Sequence, residues 1–157
     1  MSTSTRDASE AVVNDEEAPS AAPPKTLPIA RVARIAASLD LDPALREEIL
    51  SANELNEAEW EAIEERSDAE LRTALALGDT SPLVEHDGAY LARVEEERGS
   101  VTLAEYASIL RAAERGASAA RLSELEIPLA GELVLVRVFE ARLASDGAAR
   151  AELRGLR

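Results

Sequence analysis

Cysteine is absent from this chain and histidine occurs once, at His86. The first absence excludes disulfide bonds, a thiolate nucleophile and any cysteine-based zinc site. The second leaves one candidate base for a Ser-His-Asp triad, and no serine stands in a nucleophile context such as G-x-S-x-G. Aromatic residues make up only 3% of the chain: Trp60, Tyr90, Tyr106 and Phe139. Small aliphatic side chains must therefore build the core, which suits closely packed helices. There is no P-loop and no dinucleotide fingerprint. Gly78, Gly99, Gly116 and Gly147 fall instead where helix ends are expected. No uncharged apolar run approaches the roughly 18 residues that cross a bilayer. A basic-then-apolar secretory signal is not visible either. The expectation is a cytoplasmic protein without membrane insertion.

Basic residues are also in short supply, with 17 Lys and Arg against 31 Asp and Glu, a net charge of −14. Such a surface repels phosphate backbones and anionic lipid heads, which argues against nucleic-acid or membrane-surface partners. Lys25 is the single lysine, and the arginine bias reads as a GC-rich bacterial coding sequence. At 157 residues, 46% of them apolar, the chain suits one domain with a proper core.

Residues 1–27 combine Ser, Thr, Ala, Pro and acids, with Ala11-Val12-Val13 as the main apolar group. That composition predicts a disordered arm. From Pro28 onward the pattern is helical. Ile29, Val32, Ile35, Ala36 and Leu39 recur on one face, and Asp42-Pro43 reads as the start of a second helix with Leu45, Ile49 and Leu50 inward. Asn56 and Glu59 form a capping box for a helix with Trp60, Ile63, Leu71, Ala74 and Leu75 inside and Gly78 as its stop. Ser81-Pro82 opens the next helix and Gly99 closes it. Thr102 and Glu105 cap another, Ser118–Glu126 forms a shorter one, and Pro128 opens a further helix. Asp146 caps the last.

The segment 131–143 contains LVLVRVF, which alone would score as a strand. A lone strand cannot satisfy its backbone, so the segment reads as a helix with Leu129, Leu133, Val136, Phe139 or Glu140, and Leu143 aligned, and with Val134 and Val138 widening the apolar face. The fold class is all-α: a compact bundle of about six to eight helices over residues 28–157. IARVARIAASLD (29–40) and LAEYASILRAAE (103–114) are each followed by a short and then a longer helix. They mark candidate repeat halves, 28–99 and 100–157.

AYLARVEEERGSVTLAEYASILRAAERG and VFEARLASDGAARAELR resemble uncharacterised helical proteins of myxobacteria and similar GC-rich bacteria. Those proteins carry a D-x-A-Y, L-E-x-E-R-G, E-Y-A and A-E-R-G run and a W-x-x-R-L-A-x-D-P ending. The resemblance spans residues 28–157, with departures at Phe139 (Trp in the pattern) and Gly147 (Pro in the pattern). It implies an accessory or interaction role near type VI secretion components, and it carries over no activity.

The stretch VEHDGAYLARVEEERG (84–99) holds the only constellation that invites a chemical reading. On a helical wheel Leu83, Val84, Leu91 and Val94 face inward with Tyr90 at the edge, while His86, Arg93 and Glu97 lie opposite. Asp87, near the apolar stripe, needs a partner if buried: a tyrosine hydroxyl such as that of Tyr90, or an arginine from another helix. Glu-x-x-His, the signature of di-metal bundles, does not occur. Glu57, Glu61, Glu64 and Glu65 trace a solvated face. No catalytic, cofactor or metal residues are assigned. The reading is a non-enzymatic protein–protein interaction module, an adaptor or chaperone-like accessory, with Trp60 and His86 as candidate partner contacts. The alternatives are a carboxylate-rich metal-binding or enzymatic bundle around Asp87 and His86, and an acidic polyanion mimic that inhibits a basic partner.

Overall fold

Helix boundaries follow the local chemistry closely. In the computed structural model, which describes residues 25–156, Asn56 Oδ1 accepts from the Glu59 N–H while Glu59 Oε2 accepts from the Asn56 N–H, each at 2.9 Å. The same reciprocal box forms between Thr102 and Glu105 at 3.2 and 2.8 Å. Asp146 Oδ1 accepts from the N–H groups of Ala148 and Ala149 at 2.9 and 3.0 Å. Each device satisfies orphan donors at a helix start. The helices are α1 (Ile29–Leu41), α2 (Arg46–Ala52), α3 (Glu57–Ala76), α4 (Ser81–Arg98), α5 (Leu103–Glu114), α6 (Ser118–Glu124), α7 (Gly131–Ser145) and α8 (Gly147–Leu156). Among the described residues there is no strand, so 131–143 is helical.

The short helices α2 and α6 end alike. Leu50-Ser51-Ala52-Asn53-Glu54-Leu55 and Leu122-Ser123-Glu124-Leu125-Glu126-Ile127 both close as Schellman motifs. In each, the last residue's N–H reaches the first residue's carbonyl at 2.9 Å. The left-handed position is taken by Glu54 (φ 59°) and Glu126 (φ 56°). The residue after it, Leu55 or Ile127, returns into the core.

α1 is the wall between two apolar clusters. Val32, Ile35 and Leu39 pack with Leu50, Leu55, Trp60 and Ile63. Ala33 and Ala37, one turn apart and fully buried, face the larger cluster built from α4, α5, α6 and α7. Their small side chains let α4 lie close and antiparallel to α1. The register is tied by Arg34–Glu96 (2.9 and 2.7 Å), Arg93–Ser38 (2.9 Å) and Tyr90–Asp40 (2.7 Å). α7 crosses the other side of α4, where a Cβ on Gly131 would meet Tyr90 Cε1 at 3.2 Å. Tyr106 and Phe139 stack with ring centroids 4.4 Å apart, joining α5 to α7. α4 thus falls in the first half by sequence, but its buried side chains pack with the second half.

Several expected inward faces differ. Pro43–Leu45 forms a 3-10 turn with no Asp42 side-chain cap, which leaves Leu45 exposed. Leu75 is exposed because the second half of α3 buries no side chain beyond Ser67. Leu129 and Leu133 are 62% and 67% exposed. α7 starts only at Gly131, which lies close to Tyr90; Phe139 and Leu143 are buried as expected, and Val134 and Leu135 take the inward places that Leu129 and Leu133 leave. α6 stops at Glu124, two residues short of expectation. The expected arm over 1–27 lies outside the described residues except for Lys25–Leu27. There Lys25 pairs with Glu59 at 3.1 Å and its carbonyl accepts from Arg66 at 3.0 Å.

Non-glycine residues held in the left-handed region carry about 1–2 kcal/mol of steric cost. Part of the gain from removing it is offset by the looser unfolded chain that glycine creates. Glu126→Gly is therefore expected to stabilise the fold by somewhat under ~1 kcal/mol, about 2–4 °C in melting temperature. Gly116→Ala, at φ +67° with open space around the new Cβ, should cost about 1 kcal/mol for conformational reasons alone. Thermal melts followed by circular dichroism read both, and equal shifts of one sign would contradict the assignment.

Candidate functional site on helix α4

Asp87 sits one helical turn before Tyr90, on the stripe of α4 that faces its neighbours, and is 3% exposed. A lone carboxylate at such a place would be costly, because burial disfavours its charge. α7 supplies the remedy. Arg137 is the one charged residue within LVLVRVF, and its guanidinium grips Asp87 with two parallel bonds, Nε to Oδ2 at 2.5 Å and Nη2 to Oδ1 at 2.8 Å. This fork-to-fork geometry is the strongest form an Arg–carboxylate pair takes. His86 adds a third contact, Nδ1 to Asp87 Oδ1 at 3.2 Å. Burial pushes the Asp87 carboxyl up, but the bonds from Arg137 and His86 outweigh it and hold the group below the ordinary carboxylate range.

Tyr90 does not bond to Asp87. Its hydroxyl donates to Asp40 Oδ2 at 2.7 Å, at the end of α1. Burial, reinforced by the Asp40 carboxylate, raises the hydroxyl far above its usual range and keeps it protonated. A general base or acid works best when its pKa lies near the working pH. Asp87 is held ionised with both oxygens engaged, and Tyr90 is held neutral, so neither is poised for proton transfer near neutrality.

His86 lies within reach of Tyr90 one turn on, as its i+4 spacing allows, but it is less open than expected. Its side chain is 21% exposed, contacts Asp87 and stacks on the Tyr90 ring at 6.4 Å between centroids. Trp60 is fully buried at the centre of the smaller cluster and cannot meet a partner. The site residues thus fall into two groups: His86, Asp87 and Tyr90 converge on α4, and Trp60 lies apart in the core. Arg137, Asp40 and Gly131 were not singled out in the sequence. Of these only Arg137 left a signal, a charge inside an otherwise apolar helical run. Among the described residues no group of three or more His, Cys, Asp or Glu is arranged to hold a metal ion. None of the described helices is long and apolar enough to cross a membrane.

Above the ion pair the two helices part. Leu83, Val84 and Gly88 of α4 face Val138, Ala141 and Arg142 of α7 across a cleft of about 300 Å³, with Asp87 and Arg137 also lining it. Val84, expected to point inward, is 63% exposed here. Asp87 takes the inward position, and the helices diverge before Val84 can be covered. Comparison with known proteins finds no family model, no curated protein and no solved structure that matches the chain.

The pair is asymmetric, because Asp87 is enclosed while the Arg137 side chain is 40% exposed. Removing the arginine strands a buried carboxylate, whereas removing the acid leaves a guanidinium that can turn to water. Arg137→Met should cost about 3 kcal/mol or more, and Asp87→Asn about 1–2. A carboxyl depressed in the folded state stabilises the protein above its unfolded pKa of about 4, and that contribution is lost as pH falls further. In Arg137→Met the same carboxyl would be raised, so protonation would relieve the variant. Its deficit against wild type should therefore shrink between pH 7 and pH 4, as read by urea melts at both. A deficit that stayed constant would mean Arg137 contributes packing alone.

Proposed function

We propose that the protein is a non-enzymatic interaction module that receives an amphipathic helix of a partner protein in the cleft between α4 and α7. The observation that carries this reading is the cleft itself. Its walls are apolar, with Val84 exposed at the rim, and its floor is held by the Asp87–Arg137 pair. A groove between two helices is the usual receptor for a third helix that inserts apolar side chains at i, i+3, i+4 and i+7. The small lining residues Gly88 and Ala141 favour close approach. Arg142 lies beside the cleft with its guanidinium 5.2 Å above the Phe139 ring, which favours a partner carrying a carboxylate at its edge. Affinity would come mostly from apolar burial, so the complex should persist at high salt. An adaptor or accessory role beside a bacterial secretion apparatus, as the sequence resemblance implies, is compatible with such a module.

The test compares three versions of the full chain purified from the native host. Wild type and Leu77→Glu, which alters an 82% exposed leucine outside the cleft, should retain a stoichiometric partner through a high-salt wash. Val84→Glu combined with Ala141→Glu should lose it while melting within a few degrees of wild type. Equal retention by all three, or no partner with wild type, would refute the reading.

A further inference from the structure

The opposite flank of α4 carries a different surface. Between α1, α2 and α4 run two adjoining clefts of about 500 and 520 Å³ that share Ser38, Asn53 and Arg93. The first begins at Pro28 and is lined by Arg31 and Arg34 as well as Arg93. The second continues along α1 and is walled by Leu41, Leu45 and Ile49, with Asp42 and Glu97 at its edge. In a chain of net charge −14, three arginines line one groove, and two of them are already paired. Arg34 is taken up by Glu96, and Arg93 by Glu97 at 2.6 Å. Arg31 is exposed, and its side chain makes no ion pair or hydrogen bond among the described residues.

We propose that this groove is the docking site of the chain's own N-terminal segment, with Asp15-Glu16-Glu17 against the arginines and Ala11-Val12-Val13 against the apolar wall of Leu41, Leu45 and Ile49. Three observations support that occupant. The described chain begins near one end of the groove: Pro28 lines the first cleft, and Lys25, three residues earlier, reaches with its Nζ to the carbonyl of Glu54 at 2.5 Å, next to Asn53, which lines both clefts. The order of the segment also matches. Tracing back from Lys25, a spacer A-P-S-A-A-P-P (18–24) precedes the acidic block, and the apolar triplet lies beyond it. The groove presents arginines near Pro28 and apolar residues farther along α1, in that same order. Lengths agree as well. The spacer can reach roughly 23 Å, and from Glu16 to Val12 is about 13 Å when extended, against about 10 Å of α1 from Arg34 to Leu41. Carboxylates are the natural ligands of an exposed guanidinium such as that of Arg31. The docked segment would cover an exposed flank of α1, and it does so independently of the α4–α7 cleft.

The absence of cysteine makes the test direct. A nitroxide on Ser9→Cys in the full chain should broaden the backbone amide signals of Leu41, Leu45 and Ile49, which should lose most of their NMR intensity. Signals around Val84 and Ala141 should be unaffected. The loss should be unchanged on dilution, and it should be reversed by Arg31→Glu, by Asp15→Asn with Glu16→Gln and Glu17→Gln, and by raised salt. Broadening absent from α1 and α2, or centred on the α4–α7 cleft, would overturn the proposal. So would broadening that appears only between labelled and unlabelled molecules, which would make a second copy the occupant.

Discussion

A carboxylate enclosed between two helices must find its counter-charge from the helix that encloses it, and the arrangement around α4 depends on this demand. Asp87 is buried where α4 meets α7, and only Arg137 offers a two-pronged partner there. Satisfying it sets the rotation of α7 about its axis. Gly131, six residues earlier, then lies against the Tyr90 ring, and Val134, Leu135 and Phe139 enter the core. The same rotation puts Leu133 outside and opens the cleft above the pair. Desolvation makes a buried pair a modest source of net stability, but breaking it on one side is costly. Its main effect here is to select one packing among several that an apolar helix could adopt.

On its other side α4 obeys a different constraint. Ala33 and Ala37 bring α1 near, and the polar ties from Arg34, Ser38 and Asp40 run along the edge of that contact. α4 is therefore clamped between a small-residue interface and an ion-paired one. A helix held on both flanks is a stable platform, and each flank leaves its own groove. One is apolar with a neutralised floor, and the other is rich in arginine.

Much of the fold was legible because its determinants are local. The capping boxes at Asn56 and Thr102, the Asp146 cap and the stops at Gly78, Gly99 and Gly116 act over a few residues and are written directly in the chain. The left-handed Glu54 and Glu126 were not legible, since a glutamate carries no sign of positive φ. They are held there by the burial of the residue that follows. The site was half legible. Asp87 could be marked as needing a partner, but His86 was placed in solvent and Tyr90 at an edge, because a wheel drawn for one helix cannot know how many neighbours surround it.

The helicity of the described chain, the starts and stops of most helices, and the need of Asp87 for an arginine or a hydroxyl are all set within short stretches of residues. Those properties follow from backbone satisfaction and 3.6-residue periodicity, which need no distant contact. That the partner is Arg137, that Tyr90 turns instead to Asp40, and that Trp60 is wholly enclosed depends on how the helices pack. So does the choice of which apolar residues of α7 and α4 remain exposed. These are matters of which helix faces lie opposite one another, and they are set by pairings some 50 residues apart in the chain. An apolar residue can be buried by any neighbour, but a forked ion pair admits only one.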